Sequence, residues 1–391
     1  MADDAPFLLD VSRLIWRRWT DRHPTGIDRV CLVYLRHFGP KAQAVIQHRW
    51  ARRILDRRAS SDLFALLEEP GQHFRSNLVR TIVKHVRPFG ERGGGRFYLN
   101  VGHTGLDSTG FMRWVAAADV RPVYLVHDLI PITHPQFCRA GEAERHRERM
   151  RTVLTSATGV VANSRSTLDE LASFAGEQGL RMPPALAAWL GTDPQPSRSN
   201  LEAPDRPTFV ILGTIEARKN HQMLLDVWSR LIARFGSNAP RLLIIGQRGW
   251  EAEDVFRLLD RKGELNDHVV ELNDCSDEEL AAHLASAQAL LFPSLAEGYG
   301  LPLIEALQMG VPVLASDLPV FREIAGTVPA YLNPLDKAAW EEAILDYADP
   351  KSRARAAQLE RIKSFHAHGW ESHFERLETW LHALGGTAET V

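Results

Sequence analysis

The chain has 391 residues, of which 45% are hydrophobic and 24% charged, with a formal net charge of −3. That length exceeds one ordinary core and predicts two domains of roughly 150–200 residues, while the near-neutral charge excludes a general nucleic-acid binder, which needs a strongly basic surface. Three widely spaced cysteines, Cys31, Cys138 and Cys275, form no CxxC pair and exclude a disulfide framework or a structural zinc site.

The opening MADDAPFLLDVS lacks the basic head and apolar run of a signal peptide. No stretch approaches the ~18 consecutive apolar residues of a membrane span. These features predict a cytoplasmic protein, with any membrane contact peripheral, at the inner face of the cell membrane.

In chain order, apolar runs predict buried strands at Phe7–Val11, Phe97–Val101, Val123–Val126, Gly159–Ala162, Thr208–Leu212, Leu242–Ile245, Ala289–Phe292 and Pro312–Ala315. Their hydrophobicity is continuous rather than alternating, and helical stretches separate them, as in parallel sheets covered on both faces. His73–Arg87, HFRSNLVRTIVKHVR, sets Phe74, Leu78, Val79, Ile82, Val83 and Val86 at helical spacing beside Arg75, Arg80, Lys84 and Arg87. Such a basic amphipathic helix suits the surface of an anionic membrane, and equally a core-facing helix with a solvated edge. Thr192–Pro207 holds four prolines and no helical or strand period, and it reads as a linker between domains 1–195 and 205–368. From His221 to Phe235, Leu224, Val227, Trp228, Leu231 and Ile232 mark a helix that Gly236 stops. Gly369–Leu384 reads as a final amphipathic helix. The fold class is therefore α/β, with two Rossmann-like domains facing each other across a cleft.

Four segments carry candidate chemistry. PSLAEGYGLPLIEALQMG, Pro293–Gly310, follows a strand directly. Gly298 and Gly300 allow a tight loop and close approach of a ligand, Pro302 suits a helix start, and the amides there suit a phosphate. Glu297 and Glu305 can accept bonds from sugar hydroxyls. GTIEARKN, Gly213–Asn220, places Arg218 and Lys219 at a strand's carboxyl end, where cations near a helix start make better sense with an anionic partner. His127, with Asp128 after it, ends a third strand, and His134 reads as structural. Thr25-Gly26 in PTGIDRV lets backbone amides approach a ligand. No Walker A sequence, GxGxxG after a strand, GxSxG elbow, HExxH or Asp-x-Asp pair occurs. No metal and no cofactor are therefore expected.

In this order TGIDRV, VHDLIPITHP, VVANSRST, GTIEARKN, SDEEL and EGYGLPLIE resemble the retaining glycosyltransferases of family 4, which have the GT-B fold. The likeness is greatest to mannosyltransferases of bacterial surface-polysaccharide assembly. The resemblance implies a nucleotide-sugar donor, GDP-mannose with a UDP-sugar as rival, and a glycan or lipid-linked glycan acceptor. It implies that Glu305 holds the donor ribose and Glu297 the transferred sugar, and that Arg218 and Lys219 bind the diphosphate. In the same loop Gly298, Tyr299, Gly300 and Leu301 line the donor, with the backbone of Gly300 and Leu301 assisting at the diphosphate. It also implies that His127 contacts the sugar beside the reacting carbon, Gly26 lies by the phosphates, and Asn273, Cys275 and Ser276 lie by the nucleobase. Thr214 occupies a place where many members carry arginine, and Arg218 is expected to supply that charge. The last helix, about 369–391, is implied to return to the N-terminal, acceptor-side domain. Two further readings stay open: a catalytically silent nucleotide-sugar-binding scaffold, and another nucleotide-sugar enzyme or phosphorylase on the same fold.

Overall fold

All eight expected strands form. The computed structural model describes residues 5–21, 25–48, 51–69, 71–85, 91–193, 204–261 and 263–386. The first sheet contains β1 (Phe7–Asp10), β2 (Ala42–His48), β3 (Ala51–Ile54), β4 (Arg96–Asn100), β5 (Val120–Val126), β6 (Gly159–Ala162) and β7 (Ala185–Ala187). Its order is β3-β2-β1-β4-β5-β6-β7. The second contains β8 (Thr208–Leu212), β9 (Arg241–Ile245), β10 (Val269–Leu272), β11 (Ala289–Phe292), β12 (Val313–Ser316) and β13 (Ala330–Leu332), in the order β10-β9-β8-β11-β12-β13.

Among the described residues every pairing is parallel, as expected, except that of the edge strand β3, which runs antiparallel to β2. β2, β3, β7, β10 and β13 were not expected. Four of these five are sheet edges, where one side of the strand lacks a neighbour. Their exposure breaks the apolar run that marks an interior strand. β2 is interior but carries buried Gln43 and half-buried Gln47, whose amides find partners inside: Gln43 donates to Leu55 O at 2.8 Å and Gln47 to Tyr98 Oη at 2.9 Å.

The chain divides into two compact units. The first takes the chain up to Leu129, then Glu144–Ala188, and the chain from Leu377; the second takes Ile130–Ala143 and Trp189–Arg376. Two segments thus depart from the expected boundaries. Ile130–Ala143 joins the second unit, where the guanidinium of Arg139 lies over the Trp250 ring at 5.1 Å. The start of the last helix, Trp370–Gly386, does so too: His373 Nδ1 meets the Trp189 carbonyl at 2.9 Å, and Gly191 abuts the Trp370 backbone too closely for any side chain. Most of the expected linker, along with Pro24, Val86 and Arg87, lies outside the described residues.

The core of the second unit shows why its site is well positioned. The His221–Phe235 helix buries Leu224, Val227, Trp228, Leu231 and Ile232, the stripe expected from their spacing, against Phe209, Ile211, Leu242 and Ile244 of the sheet. Trp228 is fully buried, and its indole N–H donates to Pro240 O at 2.9 Å. That bond removes the only polar atom of a large apolar side chain from the desolvation balance. Trp228→Ala should cost about 3–5 kcal/mol of unfolding free energy, the range for emptying a buried aromatic site. Urea denaturation followed by circular dichroism measures it, and a loss under ~1 kcal/mol would refute this packing.

Candidate functional site

After β8 the chain goes to one side of it, to β9 and β10, and it returns on the other side as β11. The carboxyl ends of β8 and β11 therefore border the point where the winding direction switches, the place where an open α/β sheet forms a ligand crevice. Gly213–Asn220 leaves β8 and Pro293–Gly300 leaves β11. Backbone and side-chain bonds join the two loops: Leu295 N donates to Arg218 O at 2.7 Å, and Asn220 Nδ2 to Pro293 O at 3.2 Å.

Four charged side chains meet there. Lys219 Nζ lies 2.5 Å from Glu297 Oε1, and Arg218 Nη1 2.7 Å from Glu297 Oε2. The second arm of Arg218 reaches Glu216 Oε1 at 2.6 Å. Ser294 Oγ donates to Glu297 at 2.8 Å, and Lys219 Nζ stands 4.7 Å above the Phe292 ring. Glu216 and Lys219 are buried, and the side chain of Glu297 is 8% exposed. Two carboxylates and two cations make a neutral group, which is how charges survive outside water.

The protonation preferences follow from that packing. Burial acts to raise the Glu297 pKa, but the adjacent Arg218 and Lys219 outweigh it and hold the carboxyl down to about 2. Glu216 shifts upward because burial outweighs its attraction to Arg218 and Lys219. Burial, with Arg218 beside it, lowers Lys219 despite Glu297.

The β11 loop ends at Gly300, which has φ of 114° and opens the Leu301–Gln308 helix. A Cβ there would stand 2.8 Å from the Phe321 ring, so both backbone and space require glycine. Pro302 has no N–H and Leu303 N donates to Gly300 O at 3.0 Å, so what this helix start offers an anion is the positive end of its dipole and the Leu301 amide. Glu305 is buried on the same helix. Tyr299 is buried, and its hydroxyl donates to Leu190 O at 2.7 Å, a bond that anchors the loop. Thr214 packs against Gly249 at the β8 end.

Asn273, Cys275 and Ser276 follow β10. With its amide turned to donate, Asn273 bonds Gly246 O at 3.0 Å and Glu271 Oε1 at 2.9 Å. Gly246 presses against the Gly213 carbonyl, so this segment is held next to the β8 loop. Ser276 caps the Asp277–Ser286 helix in a reciprocal box with Glu279. Burial raises the Cys275 thiol.

His127 and Gly26 belong to the first unit, away from these loops in the chain. Gly26 begins the Gly26–Phe38 helix, where Thr25 and Asp28 form a capping box. Buried Asp28 also binds Arg13 at 2.6 Å and Arg17 at 2.7 Å. His127 is buried at the end of β5. Its Nε2 meets Val101 O at 2.7 Å, which fixes a proton on Nε2 and leaves Nδ1 as the acceptor. Burial drives its pKa well below the ordinary histidine value.

Two residues of this chemistry were missed by sequence reasoning. Glu216 stands within GTIEARKN, yet only folding shows it gripping Arg218. His103 follows β4, at the switch point of the first sheet between β1 and β4. Its ring is 5.4 Å from that of His127 and 5.9 Å from that of His146. Its φ of 57° is unusual for a residue with a side chain, a strain that concentrates at functional positions. A histidine right after a strand was the available signal.

Residues 193–358, which hold the whole charged quartet, match the family model Glycosyl transferases group 1. That segment of the second unit is similar to the group 1 glycosyltransferases. Serotype-specific mannosyltransferase WbdA of Escherichia coli is 30% identical over 59% of this chain and 30% of its own length. O-antigen chain mannosyltransferase RfbU of Salmonella typhimurium is 43% identical over 21% of this chain and 23% of its own length. The chain thus spans under a third of the WbdA relatives it matches. Among solved structures, Anabaena HepE in complex with UDP superimposes with a TM-score of 0.65 at 16% identity, covering 96% of this chain and 99% of HepE. Sucrose-phosphate synthase from Thermosynechococcus elongatus gives 0.61 at 16% identity, covering 97% and 99%. These likenesses show the GT-B fold.

The stability that the charged group draws from an ionised Glu297 has a definite pH window. Its pKa is depressed in the folded state from 4.5 to about 2, so its contribution is complete above 4.5 and is lost as pH falls through 2. Fully expressed, that shift corresponds to on the order of 3 kcal/mol. The difference in melting temperature between wild type and Glu297→Gln should be widest at neutral pH and close over this window. A difference that stays constant would show that the two cations do not hold Glu297 ionised.

Proposed function

We propose that this protein is a retaining glycosyltransferase that moves a hexose from a nucleotide-sugar donor to a glycan or lipid-linked glycan acceptor in surface-polysaccharide synthesis. Mannose from GDP-mannose is the favoured donor group, with a UDP-sugar as the rival. The observation that carries the reading is the Glu216–Arg218–Glu297–Lys219 quartet at the switch point of a segment similar to the group 1 glycosyltransferases. The mannosyltransferase relatives support the choice of sugar.

In this reading the donor diphosphate lies against Arg218, Lys219 and the start of the Leu301–Gln308 helix. Glu305 receives the ribose hydroxyls, Glu297 a hydroxyl of the transferred sugar, and His127 the sugar beside the reacting carbon. The anomeric C–O bond to the diphosphate breaks through an oxocarbenium-like transition state. The acceptor hydroxyl attacks from the face that the diphosphate leaves and gives its proton to the departing diphosphate oxygen, so configuration is retained. Negative charge grows on the leaving diphosphate, and fixed cations aimed at it are the main electrostatic contribution. No metal is assigned a part.

The quartet explains why the site needs no bulk water to keep its charges before donor arrives. Glu216 and Glu297 occupy the cations, and the diphosphate takes over part of that pairing. The sugar hydroxyls then give Glu297 new donors.

Two measurements test the proposal. Ligand present at ~100 Kd should add about 2.7 kcal/mol to stability, seen as a rise in melting temperature with one nucleotide among GDP, UDP, ADP and their sugars. Glu305→Ala should abolish that rise. Lys219→Ala should lower turnover by at least ~10²-fold with the melting transition retained. No rise with any nucleotide, or near-wild-type turnover in Lys219→Ala, would overturn the reading.

A further inference from the structure

Six large hydrophobic side chains stand exposed among the described residues, and four of them share two helices of the first unit. Trp16 and Trp19, 49% and 42% exposed, lie on the Ser12–Trp19 helix. Val79 and Val83, 49% and 72% exposed, lie on the Phe74–His85 helix. The two helices touch. Arg75 makes the joint between them: its guanidinium lies 5.8 Å from the Trp19 ring, and its Nε donates to Trp19 O at 2.9 Å. Arg75, Val79 and Val83 are each four residues apart, so they form one row along the helix. That row continues from Trp19, while Phe74 and Leu78 turn inward and are buried.

Charge distinguishes this patch from an ordinary apolar surface. The two helices carry Arg13, Arg17, Arg18, Arg75, Arg80 and Lys84, and neither contains an acidic residue. Arg13 and Arg17 are paired with buried Asp28, and Lys84 lies 3.3 Å from half-buried Asp62. Arg18, Arg75 and Arg80 remain as the positive edge of the exposed row. Tryptophan prefers the interface of a bilayer, where its ring meets the acyl boundary and its N–H the headgroups. Arginine beside it complements anionic headgroups, and a valine row supplies shallow apolar depth.

We propose that the Trp16–Trp19 edge and the Arg75–Val79–Val83 row together form a docking surface for an anionic lipid bilayer. The surface rests on no donor chemistry, so it stands or falls separately from the catalytic reading. Its natural service is to hold the first unit at a membrane that displays the acceptor.

The test uses the full chain without any nucleotide. Vesicles of phosphatidylcholine containing phosphatidylglycerol should cosediment the protein at least about tenfold more strongly than pure phosphatidylcholine vesicles, with binding weakened by salt. The double variant Trp16→Ser/Trp19→Ser should lose about tenfold in vesicle affinity. Val83→Glu, at a highly exposed position where folding is not at stake, should also weaken binding, and both variants should keep the wild-type melting temperature. Lipids brominated near the headgroup should quench wild-type tryptophan fluorescence, and the double variant should lose that quenching. Absence of binding to anionic vesicles at low salt would overturn the proposal, as would wild-type binding by both variants. So would a self-associated protein in sedimentation velocity that the double variant converts to monomer, since the patch would then belong to a second copy.

Discussion

The second unit is organised around one buried carboxylate. Glu297 sits in a loop after β11, and its two cations, Lys219 and Arg218, lie 78 and 79 residues earlier in a loop after β8. A lone charge at that depth would be neutralised by a shift in its pKa. Here Arg218 and Lys219 keep it ionised, and Glu216 occupies the far arm of Arg218. The group is possible only because β8 and β11 are neighbours in the sheet. The strand order is thus a condition for the chemistry as well as for the core.

The same logic recurs in the first unit with different residues. β1 and β4 are neighbours, and the chain winds away from β1 on both sides. At their carboxyl ends lie Asp10, which accepts bonds from Tyr98 at 2.7 Å and Gln47 at 2.5 Å, and the strained His103. Burial raises the Asp10 carboxyl and depresses His103. His103, His127 and His146 each set Nε2 against a backbone carbonyl, so each keeps Nδ1 as an acceptor. One unit therefore concentrates paired charge at its switch point, and the other concentrates neutral imidazole. Charge suits a diphosphate, and neutral acceptors suit hydroxyl groups.

The exposed face of the first unit obeys a different constraint. Its Trp16, Trp19, Val79 and Val83 do not complete the core, whose side of the same helices is filled by Leu14, Phe74 and Leu78. The periodicity of His73–Arg87 alone fitted both a core-facing and a surface-seeking helix. The structure shows that it does both, with one row inward and another outward.

Much of this was legible in the sequence wherever the signal was local. Interior strands announced themselves as apolar runs, the His221–Phe235 helix by its spacing, and the loops GTIEARKN and EGYGLPLIE by glycine and charge at strand ends. Those local patterns determined the α/β class and singled out the candidate loops, with Arg218, Lys219, Glu297 and Glu305 as candidate residues. Edge strands such as β3 and β13 were hidden because their exposure erases the run. Tertiary structure alone decided which charges meet, because pairing follows sheet order rather than spacing in the chain. It recruited Glu216 to Arg218, gathered His103 beside His127, moved Ile130–Ala143 into the second unit, and joined Trp19 to Arg75 across 56 residues. Each is a contact between segments whose own sequences carry no trace of the other, and only the packing of strands and helices brings them within bonding distance.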